Sequence, residues 1–214
     1  MLYITLFYVR IVLLATFQVN IGRLKNWTSF SNMPKQVIGK AMEDSPEYEW
    51  DIYQPTPIMS TYTLGMAVAN DYKYSETSTP NRKDRKIRAW IRSSIQILSY
   101  SENNTMGWKN ITEENVDNTQ KFLVFYEKYL NITDPVPKMD SIDIIEAWHG
   151  GMENWGVLFY PGYTELTREL TIAHETAHSW FGNLVTCKNW AEYVYTLFVI
   201  MQKLKCLIFF SSYI

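Results

Sequence analysis

The 214-residue chain holds two cysteines, Cys187 and Cys206, too few for a disulfide framework or a four-cysteine zinc site. Neither sign of charge dominates, with 20 basic side chains against 22 acidic ones and a net charge of -2. That balance gives no electrostatic basis for binding nucleic acid or an anionic membrane surface. Unbroken apolar runs of the length that spans a bilayer, about 20 residues, are missing. Arg10 interrupts the apolar N-terminal stretch, and Lys203 and Lys205 split the C-terminal one. Internal repeats and low-complexity tracts are also missing, which excludes a solenoid or a linker. What is present is a globular composition. Hydrophobic residues at 47 % and charged residues at 20 % exclude disorder throughout. Aromatics at 15 % predict an aromatic-lined core or groove.

The two ends differ from the middle. In MLYITLFYVRIVLLATF the positive charge sits inside the apolar run and not ahead of it, so a pair of buried strands is expected before a cleaved signal. Val194 to Ile214 lacks caps, turn residues and acids, and exposed it would aggregate. Four N-x-S/T sequons, at Asn26, Asn103, Asn110 and Asn131, would accept glycans on a secretory route.

Residues 15 to 100 are predicted to be mainly β. Strands are expected in ATFQVNIG, STYTLGMAVAN and KIRAWIRSSIQI, with a long exposed loop from Lys73 to Lys86. An Asn- and Ser-rich stretch near 101–110 marks a boundary, and EENVDNTQKFLVFYEKYL follows with the apolar spacing of a helix. A strand over Met139–Ile145, a loop through His149, a strand over Trp155–Tyr160 and one helix from about Thr164 complete the pattern. The expected fold class is α+β. Its expected units are an atypical extension (1–14), a β-rich domain (15–105), a mixed domain (106–194) and an atypical apolar tail (195–214).

The chain has only three histidines, and two of them fall in His174-Glu175-Thr176-Ala177-His178. On a helix, positions i and i+4 lie about 40° apart around the axis and one turn along it. Both imidazoles therefore project from one face and can share one Zn²⁺, with Glu175 placed as general base toward a water on the metal. This donor set points to hydrolysis of a peptide carbonyl. A catalytic zinc takes a third protein ligand. Glu192, Glu169, Glu165 and His149 are the runner-up candidates, although Glu169, five residues before His174 and about 140° around the helix, faces away.

The motifs Gly150-Gly151-Met152-Glu153-Asn154-Trp155-Gly156 and His174 to Thr186 resemble those of the zinc aminopeptidases typified by aminopeptidase N, the gluzincin aminopeptidases. Ser31–Pro34, Met59–Tyr62 and Phe125–Asp140 are similar to further family stretches, and the resemblance covers about 15–193. It implies a partial N-terminal β-rich domain followed by the start of a thermolysin-like zinc metallopeptidase domain. It implies that His174 and His178 bind one zinc per chain and that Glu175 is the base. Glu153 would grip the free α-amine of a peptide substrate, with Gly150, Gly151, Met152 and Asn154 lining the same subsite. The implied activity is removal of a peptide's N-terminal residue, and Glu153 disfavours endoprotease action. A plasma-membrane or extracellular setting follows from the resemblance, with membrane association through parts outside this chain.

The family's third zinc ligand is a Glu with eighteen residues between it and the second His. Here that position is Leu197. This departure implies an alternative, a catalytically inactive homologue that binds peptides. The family's transition-state Tyr and C-terminal helical domain find no match either. The chain is expected to be a truncated or mis-assembled version of a longer aminopeptidase.

Overall fold

The computed structural model describes residues 2–6, 14–94, 96–98, 105–144 and 150–188. Strands β1 (Leu2–Leu6), β2 (Leu14–Ala15), β3 (Asn20–Leu24), β4 (Thr28–Ser31), β5 (Lys35–Ala41), β6 (Tyr48–Tyr53), β7 (Met59–Ser60) and β8 (Gly65–Ala69) form the first part. They pair as β1-β8-β4, β3-β6-β5 and β2-β7. Then come β9 (Tyr72–Thr79), β10 (Arg82–Arg92), β11 (Gln96–Leu98) and β12 (Thr105–Gly107). Helix α1 (Trp108–Leu130) is followed by β13 (Lys138–Ile144), β14 (Val157–Pro161), α2 (Tyr163–Thr167) and α3 (Glu169–Ala177). Strand-rich sequence followed by helix makes the fold mixed α+β.

The sheet that carries the site has the order β14-β13-β10-β9. Both β10 and β14 run parallel to β13, while β9 runs antiparallel to β10. Strand pairing thus joins residues on the two sides of 99–104.

Strand alternation gives this sheet two faces, both of which bury apolar side chains. Ile87, Ala89, Ile91 and Met139 point to one side and bury against Ile111, Val116, Leu123 and Tyr126 of α1 and Ile172 and Ala173 of α3. Side chains one register step away, Ile142, Ile144, Val157 and Phe159, meet Phe30 and Tyr62 of the β-rich part. α1 forms because its apolar residues recur at helical spacing. It ends at Asn131, whose left-handed backbone (φ 54°) caps it.

Three expectations are corrected. Residues 73–86 are not an exposed loop; they form most of a hairpin of β9 and β10. Their inward face is polar and is satisfied by α1: Ser75 Oγ meets Thr112 Oγ1 at 2.7 Å, and Gln120 donates to the Ser78 carbonyl at 2.5 Å. Arg85, expected on a solvated loop, is buried and paired with Glu127 at 2.8 Å. The helix expected from Thr164 is two helices, because Arg168 adopts an extended backbone (ψ 106°) between them. The strand expected over 60–70 is interrupted by a 3-10 turn at Thr61–Thr63. The apolar ends, 7–13 and 189–214, lie outside the described residues.

Candidate active site

Helix α3 delivers the histidine pair. Glu169 in its first turn complements the helix dipole. His174 lies in its last turn, and His178 follows as the C-cap with helical backbone angles (φ -60°, ψ -21°). The two Nε2 atoms stand 3.1 Å apart, with ring centroids 4.7 Å apart and planes near perpendicular at 85°. Just beyond, the chain tightens: Ser179 N–H donates to the Thr176 carbonyl at 3.2 Å and Trp180 N–H to the Ala177 carbonyl at 3.1 Å. This turn sets the Phe181 carbonyl oxygen 2.8 Å from His178 Nδ1. A carbonyl only accepts, so Nδ1 carries the hydrogen and the Nε2 lone pair of a neutral His178 faces His174.

The second piece is the stretch from Gly150 to Gly156. Met152 exchanges two backbone hydrogen bonds with Phe159 of β14, at 2.9 and 3.1 Å, so the loop returns along the open edge of the sheet. Asn154 is fully buried and donates from Nδ2 to the Tyr62 carbonyl at 3.1 Å. Gly156 has φ 86°, and a Cβ there would stand 2.4 Å from the Asn32 carbonyl oxygen. Asn32 in turn donates to the carbonyls of Thr63 (2.7 Å) and Trp155 (2.9 Å).

Asn183 joins the pieces directly, donating from Nδ2 to the Glu153 carbonyl at 2.9 Å, and Tyr62 bridges them, its carbonyl accepting from Asn154 and its hydroxyl donating to the Gly182 carbonyl at 3.1 Å. Gly182 can hold its place in that tight loop because φ 124° is open to glycine.

The pieces meet at three buried side chains. Donor atoms of Glu153, Glu175 and His178 all lie within 4.8 Å of one another. Glu175 Oε2 is buried and makes no hydrogen bond. Gly151 lies against this carboxyl so closely that a Cβ would be 2.6 Å from Glu175 Cδ. Burial pushes Glu175 well above the usual carboxylate range; Glu153 and Glu165 add to this, while the Gly151 N–H opposes it. Burial lowers His174 to about 4, and His178 adds to that shift while Glu153 opposes it.

These residues fit a divalent cation. An orphaned buried carboxylate oxygen, a second buried acid and an imidazole with its lone pair fixed inward are a donor set that a cation would satisfy.

Of the other expected ligands, Glu165 is turned to Thr171 (2.6 Å) and Arg168 (3.4 Å), and Glu169 is exposed. His149, Glu192 and Leu197 lie outside the described residues. Roles for Asn183, Tyr62, Asn32 and the Phe181 carbonyl are absent from the sequence reading. Asn32, Tyr62 and Asn183 sit inside stretches that carry the resemblance, and that is the one signal that could have marked them.

The domain of peptidase family M1 matches residues 114–196. Aminopeptidase N of Rattus norvegicus is 32 % identical over 191 residues, which is 83 % of this chain and 18 % of the relative. Endoplasmic reticulum aminopeptidase 2 of Homo sapiens is 31 % identical over 83 % of this chain and 18 % of the relative. Tricorn protease-interacting factor F2 of Thermoplasma volcanium is 31 % identical over 83 % of this chain and 21 % of the relative. The chain thus spans about a fifth of the length of these relatives.

Proposed function

We propose, on the premise that the chain belongs to peptidase family M1, that residues 150–183 carry the zinc and amine subsites of an aminopeptidase acting on peptides with a free N-terminus. The observation that carries this reading is the convergence of Glu153, Glu175 and His178 within 4.8 Å in a buried setting. Two buried carboxylates side by side repel each other, and each gains from a cationic partner. The charge of Glu175 would be offset by proximity to a zinc ion held by the adjacent histidines, and Glu153 would pair with a substrate ammonium.

His174 and His178 would hold the zinc. When bound, zinc supplies Lewis acidity and makes water a better nucleophile at neutral pH. Glu153 would accept hydrogen bonds from the substrate's α-ammonium, which fixes the first peptide bond in place. Gly150, Gly151, Met152 and Asn154 would line that subsite. Glu175, with Oε2 making no hydrogen bond, would take the proton of the attacking water and pass it to the leaving amine. The surrounding domain would be thermolysin-like. The names of the membrane-system relatives and three exposed sequon asparagines, Asn26, Asn110 and Asn131, support a secretory-route setting. Among the described residues no helix is long and apolar enough to cross a membrane.

Leu197 at the family's third-ligand position favours a second reading, a homologue that binds peptides without cleaving them. One experiment separates the two. Zinc is titrated into the chain calorimetrically, and hydrolysis of alanine anilide is followed with and without an N-acetyl block. One zinc per chain with turnover of the unblocked anilide alone supports the aminopeptidase. Selective binding of the unblocked compound without turnover supports the second reading. Zinc uptake unchanged by His174→Ala and His178→Ala, or equal handling of blocked and unblocked compounds, overturns both.

A further inference from the structure

A second cavity, of about 400 Å³, lies between the β4–β6 region and the sheet face formed by β10 and β13. It is lined by different residues from those of the histidine pair. Three cations reach its wall: Lys35, Arg88 and Lys138. One acid, Asp140, lines it with them.

The pairing around the cavity is uneven. Asp140 is shared, with Oδ1 2.8 Å from Arg88 Nε and Oδ2 2.8 Å from Lys138 Nζ. Asp51, buried just behind the wall, is shared by Lys35 at 2.8 Å and Arg23 at 2.7 Å. Arg23 also has Glu49 at 3.4 Å. Once Glu49 is assigned to Arg23, two buried carboxylates face three cations, and the wall holds one positive charge in surplus. Lys138 is almost wholly buried, while Lys35 and Arg88 keep 20 % and 25 % of their side chains exposed. Lys138 is satisfied by Asp140 and by the Gly156 carbonyl at 2.7 Å, so the surplus falls on the half-buried Lys35 and Arg88, where partial desolvation favours an added anion. Burial lowers both lysines, Lys138 to about 8, with Asp51 opposing at Lys35 and Asp140 at Lys138.

The rest of the wall mixes small polar residues, Thr28, Ser29 and Ser31, with an apolar and aromatic side. Phe30, Tyr53 and Trp90 line it. Trp90 is held by edge contact with Phe30 at 5.0 Å and by stacking on Tyr74 at 4.2 Å. A rigid aromatic wall beside a single surplus cation suits an anion with an apolar body and not a small hydrated ion.

We infer that this cavity is a binding site for a small organic monocarboxylate, its carboxylate between Arg88 and Lys35 and its apolar body against Trp90 and Phe30. The site is independent of the proposed peptidase chemistry.

The test uses the full chain without zinc, so that no carboxylate can bind through the metal. Phenylacetate is titrated calorimetrically beside phenylacetamide, which keeps the apolar body and replaces the anionic oxygen with a neutral NH2, and beside inorganic phosphate, which lacks the apolar body. Phenylacetate is expected to bind saturably at one site, at least about tenfold more tightly than either comparator. Arg88→Gln and Lys35→Gln, each checked for folding by circular dichroism, are expected to weaken it about fivefold or more. Equal binding of the amide overturns the inference. So does the absence of saturable binding up to about 10 mM, or undiminished binding in either folded variant. Should both variants unfold, the comparison of acid with amide on the unaltered chain still decides.

Discussion

A methyl group added at Gly151 would stand 2.6 Å from Glu175 Cδ and 2.7 Å from Oε1. The carboxyl is buried, so it must move for the alanine to fit. Gly151→Ala is therefore expected to cost about 1–3 kcal/mol of stability, the usual range for overpacking. It should also change the carboxyl carbon-13 shift of labelled Glu175. Gly150 is the contrasting case. Its φ is 98° with open space around the position of a Cβ, so Gly150→Ala is expected to cost about 1–2 kcal/mol through backbone strain alone. The labelled Glu175 shift should then stay put. Urea unfolding gives both costs, and a Glu175 shift that follows Gly150 rather than Gly151 would contradict the packing. Asn183 is a third residue-scale case. Removing its amide in Asn183→Ala leaves the Glu153 carbonyl without that 2.9 Å bond. The expected loss is about 1–3 kcal/mol, with faster amide exchange around residues 152–154. Unchanged exchange there would mean that the two motifs are not held together by this side chain.

At the scale of elements, the break between α2 and α3 matters most. Arg168 leaves the helical region, and Glu165 closes the gap by accepting from Thr171 Oγ1 at 2.6 Å. This sets where α3 begins and so which way the histidines point. Thr171→Val keeps the shape and loses the charged hydrogen bond, with an expected cost of about 1.5–3 kcal/mol in urea unfolding. A cost below about 0.5 kcal/mol would mean that the break is held by something else.

The same element shows what a sequence reveals and conceals. The spacing of His174 and His178 disclosed one shared face, because i and i+4 on any helix lie close together. The apolar face of α1 was equally plain from periodicity. The break at Arg168 was not, since extended backbone at one residue does not disturb the apolar spacing of Leu166, Leu170, Ala173 and Ala177 in the sequence, although it leaves Leu170 exposed. The β9–β10 hairpin was hidden for another reason: its inward positions are Ser75, Thr77 and Arg85, satisfied by partners on α1 that lie distant in sequence. The bonds from Asn183 and Tyr62 end on carbonyl oxygens, which every residue carries, so no residue type announces them.

Across the whole molecule, Asp134 ties distant parts together. Its backbone carbonyl accepts from Arg85 at 2.6 Å and Arg82 at 2.9 Å on β10, and its N–H donates to Glu127 on α1 at 3.2 Å. Its carboxyl oxygen Oδ1 accepts from the indole of Trp155, next to the Glu153 loop, at 3.1 Å. Burial raises this carboxyl to about 6 from an ordinary 3.8, with Arg85 opposing. The folded state therefore binds its proton more tightly than the unfolded chain does. The stabilisation this provides is complete below about pH 4 and is lost as pH rises through about 6. Asp134→Asn keeps the acceptor oxygen and has no proton to lose. Relative to the unaltered chain, the variant should gain about 2–2.5 kcal/mol between pH 4 and pH 7.5, most of the free energy equivalent of the shift. Other carboxylates move the opposite way: Asp51, between Arg23 and Lys35, and Asp140, between Lys138 and Arg88, are both lowered against their burial. These are the same in both chains and cancel in the difference. Urea unfolding of the two chains at both pH values measures it, and a stability gap that does not change with pH would remove the buried proton from the account.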